Sequence, residues 1–325
     1  GDGVPRQAGF DITAASEVMA VLALAKSLKD LRERLGRIVV GYTKKGEPVT
    51  AEQLQAAGAA AVMMREALKP NLLQTLENTP VFVHAGPFGN IAHGNSSIVA
   101  DLIGIHTGDF LVTEAGFGAD MGAERFFNIK CRVSGLKPDA AVVVATVRAL
   151  KSHSGKYKVV AGRPLPEEML RENPEDVTTG AANLRKQLEN IRAHGVEPVV
   201  AINAMPSDFA SERDAIHELA ASMGVRSAVG THFADGGRGA AEIAEAVTEV
   251  AAKPNSFHYL YPAEAPLKEK IEALATQVYG ADGVDYTSLA SKQLDGYEKN
   301  GFGNLPVCIA KTQYSLSHDA NLKGA

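Results

Sequence analysis

From Ala14 to about Leu35, apolar residues recur at helical spacing, at Val18, Val21, Leu22, Ala25, Leu28, Leu31 and Leu35. This predicts an amphipathic helix that Gly36 is placed to stop. Ile38 to Tyr42 reads as a short strand, Thr50 to Leu68 as a helix started by Thr50 with Glu52 in its first turn, and Pro80 to His84 as a buried strand. Phe110 to Thr113 and Ala140 to Thr146 are further strands. The second is an unbroken run of small and β-branched residues, the pattern of a strand covered on both faces.

Beyond a Pro-rich passage at Pro164, Pro166 and Pro174, a helix from about Thr179 ends at Gly195, and Pro198 to Asn203 gives the next strand. Ser211 is expected to cap a helix ending near Gly224, followed by a strand from Val225 to Val229 and a helix from Arg238 to Ala252. Strands alternating with helices imply a mostly parallel, doubly wound α/β sheet, whose ligands bind at the carboxyl ends of the strands. The expected domain boundary lies between residues 185 and 197.

Length changes this picture only by suggesting two domains, since 325 residues exceed the usual ~150 per domain. With 45% hydrophobic and 22% charged residues the composition is globular. No window approaches the roughly 18 uninterrupted apolar residues of a membrane span. The net charge of -5 and the scattered Lys and Arg give no basic stripe for nucleic acid. The two cysteines, Cys131 and Cys308, lack second ligands at metal spacing and fit a reducing compartment. No secretory signal pattern opens the chain, and both ends read as if cut from something longer.

Strand ends direct attention to four loops. In residues 84–97, HAGPFGNIAHGNSS, glycines allow close backbone approach and the following helix start favours an anion. The other reading is a turn with Ser96 or Ser97 as N-cap and His84 and His93 in local hydrogen bonds. In residues 113–124, TEAGFGADMGAE, Glu114 is delivered to a strand end and Gly116, Gly118 and Gly122 follow. Their spacing does not match the dinucleotide fingerprint, but a strand-end carboxylate could hold a magnesium ion bridging phosphates, unless it pairs with Arg125 or Lys130. Residues 144–155 bring Arg148, Lys151 and His153 to a strand end, either to meet phosphate or carboxylate or as solvated charges. In residues 200–208, Asn203 can read a heterocycle edge and Met205 can pack on its face, with Pro206 and Asp208 just beyond.

Several chemistries find no support. No G-x-x-x-x-G-K-[ST] occurs, the one Gly-Lys pair, Gly155 and Lys156, being followed by Tyr157. H-E-x-x-H and G-x-S-x-G are absent too.

These loops, with residues 3–7 (GVPRQ), 9–13 (GFDIT), 144–151 (VATVRALK), 279–284 (YGADGV) and 310–315 (AKTQYS), resemble formate:tetrahydrofolate ligase along essentially the whole chain. The resemblance implies ligation of formate to N10 of tetrahydrofolate with ATP through formyl phosphate, assisted by Mg2+ and a monovalent cation, K+ or NH4+, in a cytoplasmic homotetramer. It implies a P-loop NTPase-like sheet with a second, smaller α/β domain. Residues 1–190 would be the remainder of the nucleotide and formyl phosphate domain, 191–285 the second domain with the folate or adenine pocket, and 286–325 the start of a truncated C-terminal domain. Glu114, Lys151 and His93 become catalytic candidates, with Glu114 also the metal ligand. Asn90, Gly116, Phe117, Gly118, Asn203, Met205, Pro206, Asp208 and Phe233 become candidates for binding substrate or nucleotide.

Two departures accompany the resemblance. The family's phosphate loop, and the arginine that meets formyl phosphate, are expected upstream of this segment, so the 325 residues alone are expected not to make formyl phosphate. The family's pair of aromatics around the folate ring falls by motif at Met205 and Phe233, so one planar face is a thioether here. The alternative expectation is a catalytically dead homologue that binds folate or nucleotide, or acts as a subunit.

Overall fold

The structure is a computed structural model and describes residues 16–160 and 162–322. The motifs at residues 3–7 and 9–13 lie outside these. The chain divides into two compact units, one ending at Gly116 and one beginning at Phe117.

In the first unit the expected opening helix is two: α1 (Glu17–Leu24) and α2 (Leu28–Arg37). The break comes from a capping signal inside the apolar pattern. Ser27 Oγ accepts from the Asp30 N–H (3.1 Å), and Asp30 accepts from the Lys26 N–H (2.9 Å). Ser27 therefore starts a new helix where periodicity alone runs on, and Gly36 lies inside α2 rather than ending it. Leu22, Ala25, Leu31 and Leu35 still bury together with Ala61.

Next come β1 (Val39–Tyr42) and β2 (Pro48–Thr50), an antiparallel pair. The helix expected from Thr50 shrinks to α3 (Ala57–Met63). Thr50 ends β2 and exchanges bonds with Gln53 to start a turn, and Gln55 sits at φ 58°. β3 (Asn71–Gln74) and β4 (Pro80–Val83) form a second antiparallel hairpin. The expectation of a buried parallel strand at 80–84 is thus corrected: Leu72, Leu73, Val81 and Val83 are exposed. A short turn with Asn78 at φ 66° lets the two apolar runs pair locally. α4 (Ile98–Thr107) closes the unit, capped by Ser97. The strand expected at 110–113 does not form; the nearest pairing is an isolated bridge between Asn95 and Ala115.

The second unit opens on π-helical turns at Ala119–Ala123 and Phe126–Cys131, continuing into the single turn α5 (Arg132–Ser134). Then β5 (Ala141–Ala145), α6 (Val147–His153), α7 (Pro174–Thr179), α8 (Ala182–Arg192), β6 (Pro198–Asn203), α9 (Ala210–Ser222), β7 (Arg226–Gly230), α10 (His232–Asp235) and α11 (Ala241–Ala251) follow. β5, β6 and β7 are parallel and adjacent in that order. The α/β reading with a parallel sheet holds in this unit. Val200 and Ile202 pack with Leu184, Leu188 and Ile216 on one face, while Val199 and Ala228 pack with Ala246 and Val250 on the other. Helices on both faces explain why β6 is an uninterrupted apolar run.

Two details differ from the sequence reading. Gly180 separates α7 from α8, and Phe209, not Ser211, is the N-cap of α9, with Glu212 accepting the Phe209 N–H (3.1 Å). Position 190 lies inside α8. α12 (Leu267–Gln277) and α13 (Ser288–Lys299) complete the unit.

Candidate functional site

Three parallel strands end on the same side of the sheet, and their loops carry much of the chemistry singled out above. β5 is followed directly by Thr146, whose hydroxyl caps α6 by accepting from the Ala149 N–H (3.1 Å). This places Arg148 in the first turn, where its guanidinium donates to Ser207 Oγ (3.2 Å). β6 ends at Asn203, the register partner of Gly230 at the end of β7, and the Ala204 N–H donates to Gly230 O (3.0 Å). Asn203 and Met205 are half-buried, Pro206 is exposed, and the half-buried Asp208 shapes the loop by accepting from the Met205 N–H (2.8 Å). After β7, Phe233 sits on α10 and is 86% exposed. An apolar ring so open to water at a strand end is free to meet a ligand.

Lys151 is on α6 but away from solvent. Its Nζ donates to Glu212 Oε1 and to Arg171 O, each at 2.6 Å, and both side chains of the ion pair are at most 2% exposed. Glu212 also accepts from the Asn173 N–H (2.9 Å). The amine is thereby committed to holding α6, α9 and the segment before α7 together.

Within the first unit, the loop carrying His84 and His93 meets the beginning of the 113–124 stretch. The Gly116 N–H donates to Gly94 O (2.9 Å), Ser96 Oγ lies 2.8 Å from Thr113 Oγ1, and Asn95 bridges Ala115. Gly94 is needed, since a Cβ there would come within 2.5 Å of Gly89 Cα, and the approach at Gly116 is tight, with a Cβ 3.0 Å from Gly94 O. His84 is clamped between Ser97 Oγ (2.5 Å) and Ala67 O (2.6 Å). The buried His93 faces Ala20 O (3.1 Å) and receives the Asn95 N–H (3.3 Å), as the local hydrogen-bond reading expects. Asn90 is half-buried in the turn between them, and Glu114 is exposed on an irregular segment instead of a strand.

In the second unit the stretch continues through Phe117, exposed and at φ 61°, and Gly118, into the π-helical turn that buries Asp120 and Met121. π-helical turns of this kind are frequent at functional sites. Asp120 is a residue the sequence reading passed over. It is bound by Gln187, Lys311 and Tyr279. Two of these partners belong to the 279–284 and 310–315 motifs, which were the available signal.

Glu124 follows, buried, with Oε1 accepting from Asn128 Nδ2 (2.9 Å). Burial pushes its carboxyl up to about 7. Among the described residues no cluster of three or more His, Cys, Asp or Glu side chains is arranged for a metal ion.

A family model described as formate--tetrahydrofolate ligase matches residues 1–325. The chain belongs to that family. Formate--tetrahydrofolate ligases similar to it include one from Saccharopolyspora erythraea, 69% identical over 324 residues. One from Rubrobacter xylanophilus is 65% identical over 333 residues, and one from Cutibacterium acnes 60% over 324. Each match takes in 100% of this chain but only 57%, 58% and 58% of those ligases. The chain therefore spans less than two thirds of the length of the ligases it matches.

Proposed function

We propose that the whole protein ligates formate to N10 of tetrahydrofolate with ATP, and that this chain supplies the folate side and part of the phosphate side of the site. The observation that carries the reading is that the Asn203–Asp208 loop follows β6 and Phe233 follows its parallel neighbour β7, at the carboxyl ends where α/β sheets bind ligands. The Asn203 amide offers a donor and an acceptor to a pterin edge. Met205 and Phe233 offer apolar faces to its ring, and Pro206 and Asp208 fix their loop.

A formate oxygen attacks the γ-phosphorus of ATP, ADP leaves, and the resulting formyl phosphate is an activated acyl group. The N10 amine adds to its carbonyl carbon and phosphate departs. Such an anhydride must be kept from water, and the backbone from Gly116 to Gly118 is the proposed lining on the phosphate side, with the Gly116 N–H held on Gly94 O. Lys151 and His93 act in this reading by holding loops, since their nitrogens are engaged with Glu212 and with backbone groups.

Glu114 is one carboxylate, which suits an Mg2+ ion held mainly by nucleotide phosphates rather than by a protein cage. Activation by K+ or NH4+, a cytoplasmic location, homotetramer formation, the division at residues 190 and 285 and a P-loop NTPase-like sheet in the whole protein belong to the same proposal.

The test is ADP release by the full-length protein. It should require formate and be accelerated by tetrahydrofolate. ADP release indifferent to formate would overturn the reading.

A further inference from the structure

We propose that Asp120 and Lys311 form a latch that positions the Phe117–Gly118 backbone for the phosphate-side substrate, which makes Asp120 a positioning residue of the ligase reaction. The inference rests on the proposed role of that loop.

Asp120 is held at four atoms by three separate parts of the second unit. Its N–H donates to Gln187 Oε1 (2.8 Å) while Gln187 Nε2 donates back to Oδ1 (2.7 Å). Its carbonyl accepts from the Tyr279 hydroxyl (2.8 Å), and Oδ2 accepts from Lys311 Nζ (3.2 Å). Lys311 in turn has its remaining donors on Thr312 O (2.8 Å) and Ser315 O (2.5 Å), and its ammonium lies 5.5 Å from the Tyr279 ring centre. The two side chains are 6% and 7% exposed. At that burial an ion pair with every donor used fixes geometry, and losing either partner strands a charge.

The latch touches the loop directly. A Cβ on Gly118 would stand 2.5 Å from Asp120 Oδ1 and 2.6 Å from Gln187 Nε2, so a side chain at 118 would force the latch groups to shift. Gly118 O accepts from the N–H groups of Met121 (3.1 Å) and Gly122 (3.0 Å), tying it into the same turn. One residue earlier, Phe117 holds φ 61°, a left-handed conformation a bulky residue adopts only when its surroundings impose it. The strained, exposed part of the loop is thus anchored by a buried charge pair whose lysine comes from a motif nearly two hundred residues away in sequence.

Steady-state kinetics of the full-length protein test this with Asp120→Asn, Lys311→Met, Lys311→Arg and Gly118→Ala. Asp120→Asn keeps the side-chain shape and removes the charge. It should raise KM for formate by about ten- to a hundredfold while KM for tetrahydrofolate stays within about twofold. Lys311→Met should do the same, the Asp120→Asn/Lys311→Met double variant should add little to either, and Lys311→Arg should recover part of the loss. If Lys311→Met fails to fold, Asp120→Asn carries the test alone.

A parallel rise in all KM values, or a loss of thermal stability with unchanged kinetics, overturns the latch as a positioning device. Gly118→Ala separates the two ideas. A formate effect there with none in Asp120→Asn overturns the latch and spares the loop's role, whereas no effect of Gly118→Ala on formate overturns the loop's role and the latch with it.

Discussion

Lys151 Nζ lies 2.6 Å from Glu212 Oε1 with both side chains out of water, so the pair ties α6 to α9 beneath the strand-end loops. Lys151→Met leaves the Glu212 carboxylate buried with only backbone donors. Removing one partner of such a pair costs about 3–5 kcal/mol, and the Asn173 and Phe209 N–H groups should hold the loss near the lower end. Denaturant unfolding checks this; a loss below about 1 kcal/mol, the range of an exposed pair, contradicts it.

Two buried groups pull the pH dependence of stability in opposite directions. His194, 1% exposed and 4.6 Å from the Phe127 ring centre, is pushed by burial down to about 4. The unfolded chain then binds the extra proton, so this contribution is full above about pH 6.5 and is lost as pH falls toward 4. Glu124 is pushed up to about 7, so the folded state binds the extra proton and stability is lost as pH rises from 4.5 to 7.

Between about pH 4.5 and 6.5 the two oppose each other and the wild-type profile should be nearly flat. Glu124→Gln keeps an oxygen for Asn128 and removes one slope. Its stability should climb by about 2–3 kcal/mol across that interval, since the lowering of His194 from 6.5 to about 4 then acts alone. Thermal or urea unfolding at several pH values reads this directly, and a Glu124→Gln profile as flat as the wild type contradicts it.

Gly180 is required for packing, not for conformational freedom. A Cβ there would lie 1.7 Å from Leu150 O and 2.9 Å from the Ser154 nitrogen, with backbone on both sides and nothing flexible to yield. Gly180→Ala should lower stability by about 1–3 kcal/mol or more, the usual range for overpacking. An unchanged melting temperature contradicts the close approach of these helices.

Met205 stands where the resemblance implies an aromatic face for folate. Met205→Phe in the full-length protein should tighten tetrahydrofolate binding by about two- to tenfold, the equivalent of 0.5–1.5 kcal/mol for an added ring contact. Calorimetric titration measures it, and weaker or equal binding contradicts the assignment.

The parallel part of the fold was legible because its signals are local and redundant. Pro198 to Asn203 is apolar throughout because both faces are covered, and Gly195 sits just past the helix it ends, at φ 74°. The first unit was less legible. Ser27 and Asp30 form a cap inside a helical pattern, and the Pro80–Val83 run pairs with a neighbour twelve or fewer residues away instead of joining the parallel sheet. Periodicity cannot distinguish these outcomes.

Of the candidate site, the placement of Asn203 at the end of a strand was legible, because the apolar run that precedes it marks β6. It was misleading at Lys151, because a lysine beside a strand end reads the same in sequence whether its partner is substrate or Glu212. Asp120 escaped notice since its partners, Gln187 and Lys311, are brought to it only by the fold.

The most direct test of the account is KM for tetrahydrofolate in full-length Phe233→Ala. Phe233 is 86% exposed, so the loss of its ring should not disturb the fold. The account predicts KM for tetrahydrofolate raised by about two- to tenfold or more, with KM for formate and ATP unchanged. Unaltered tetrahydrofolate KM, or an equal rise for all three substrates, would contradict placing the folate at the carboxyl ends of β6 and β7.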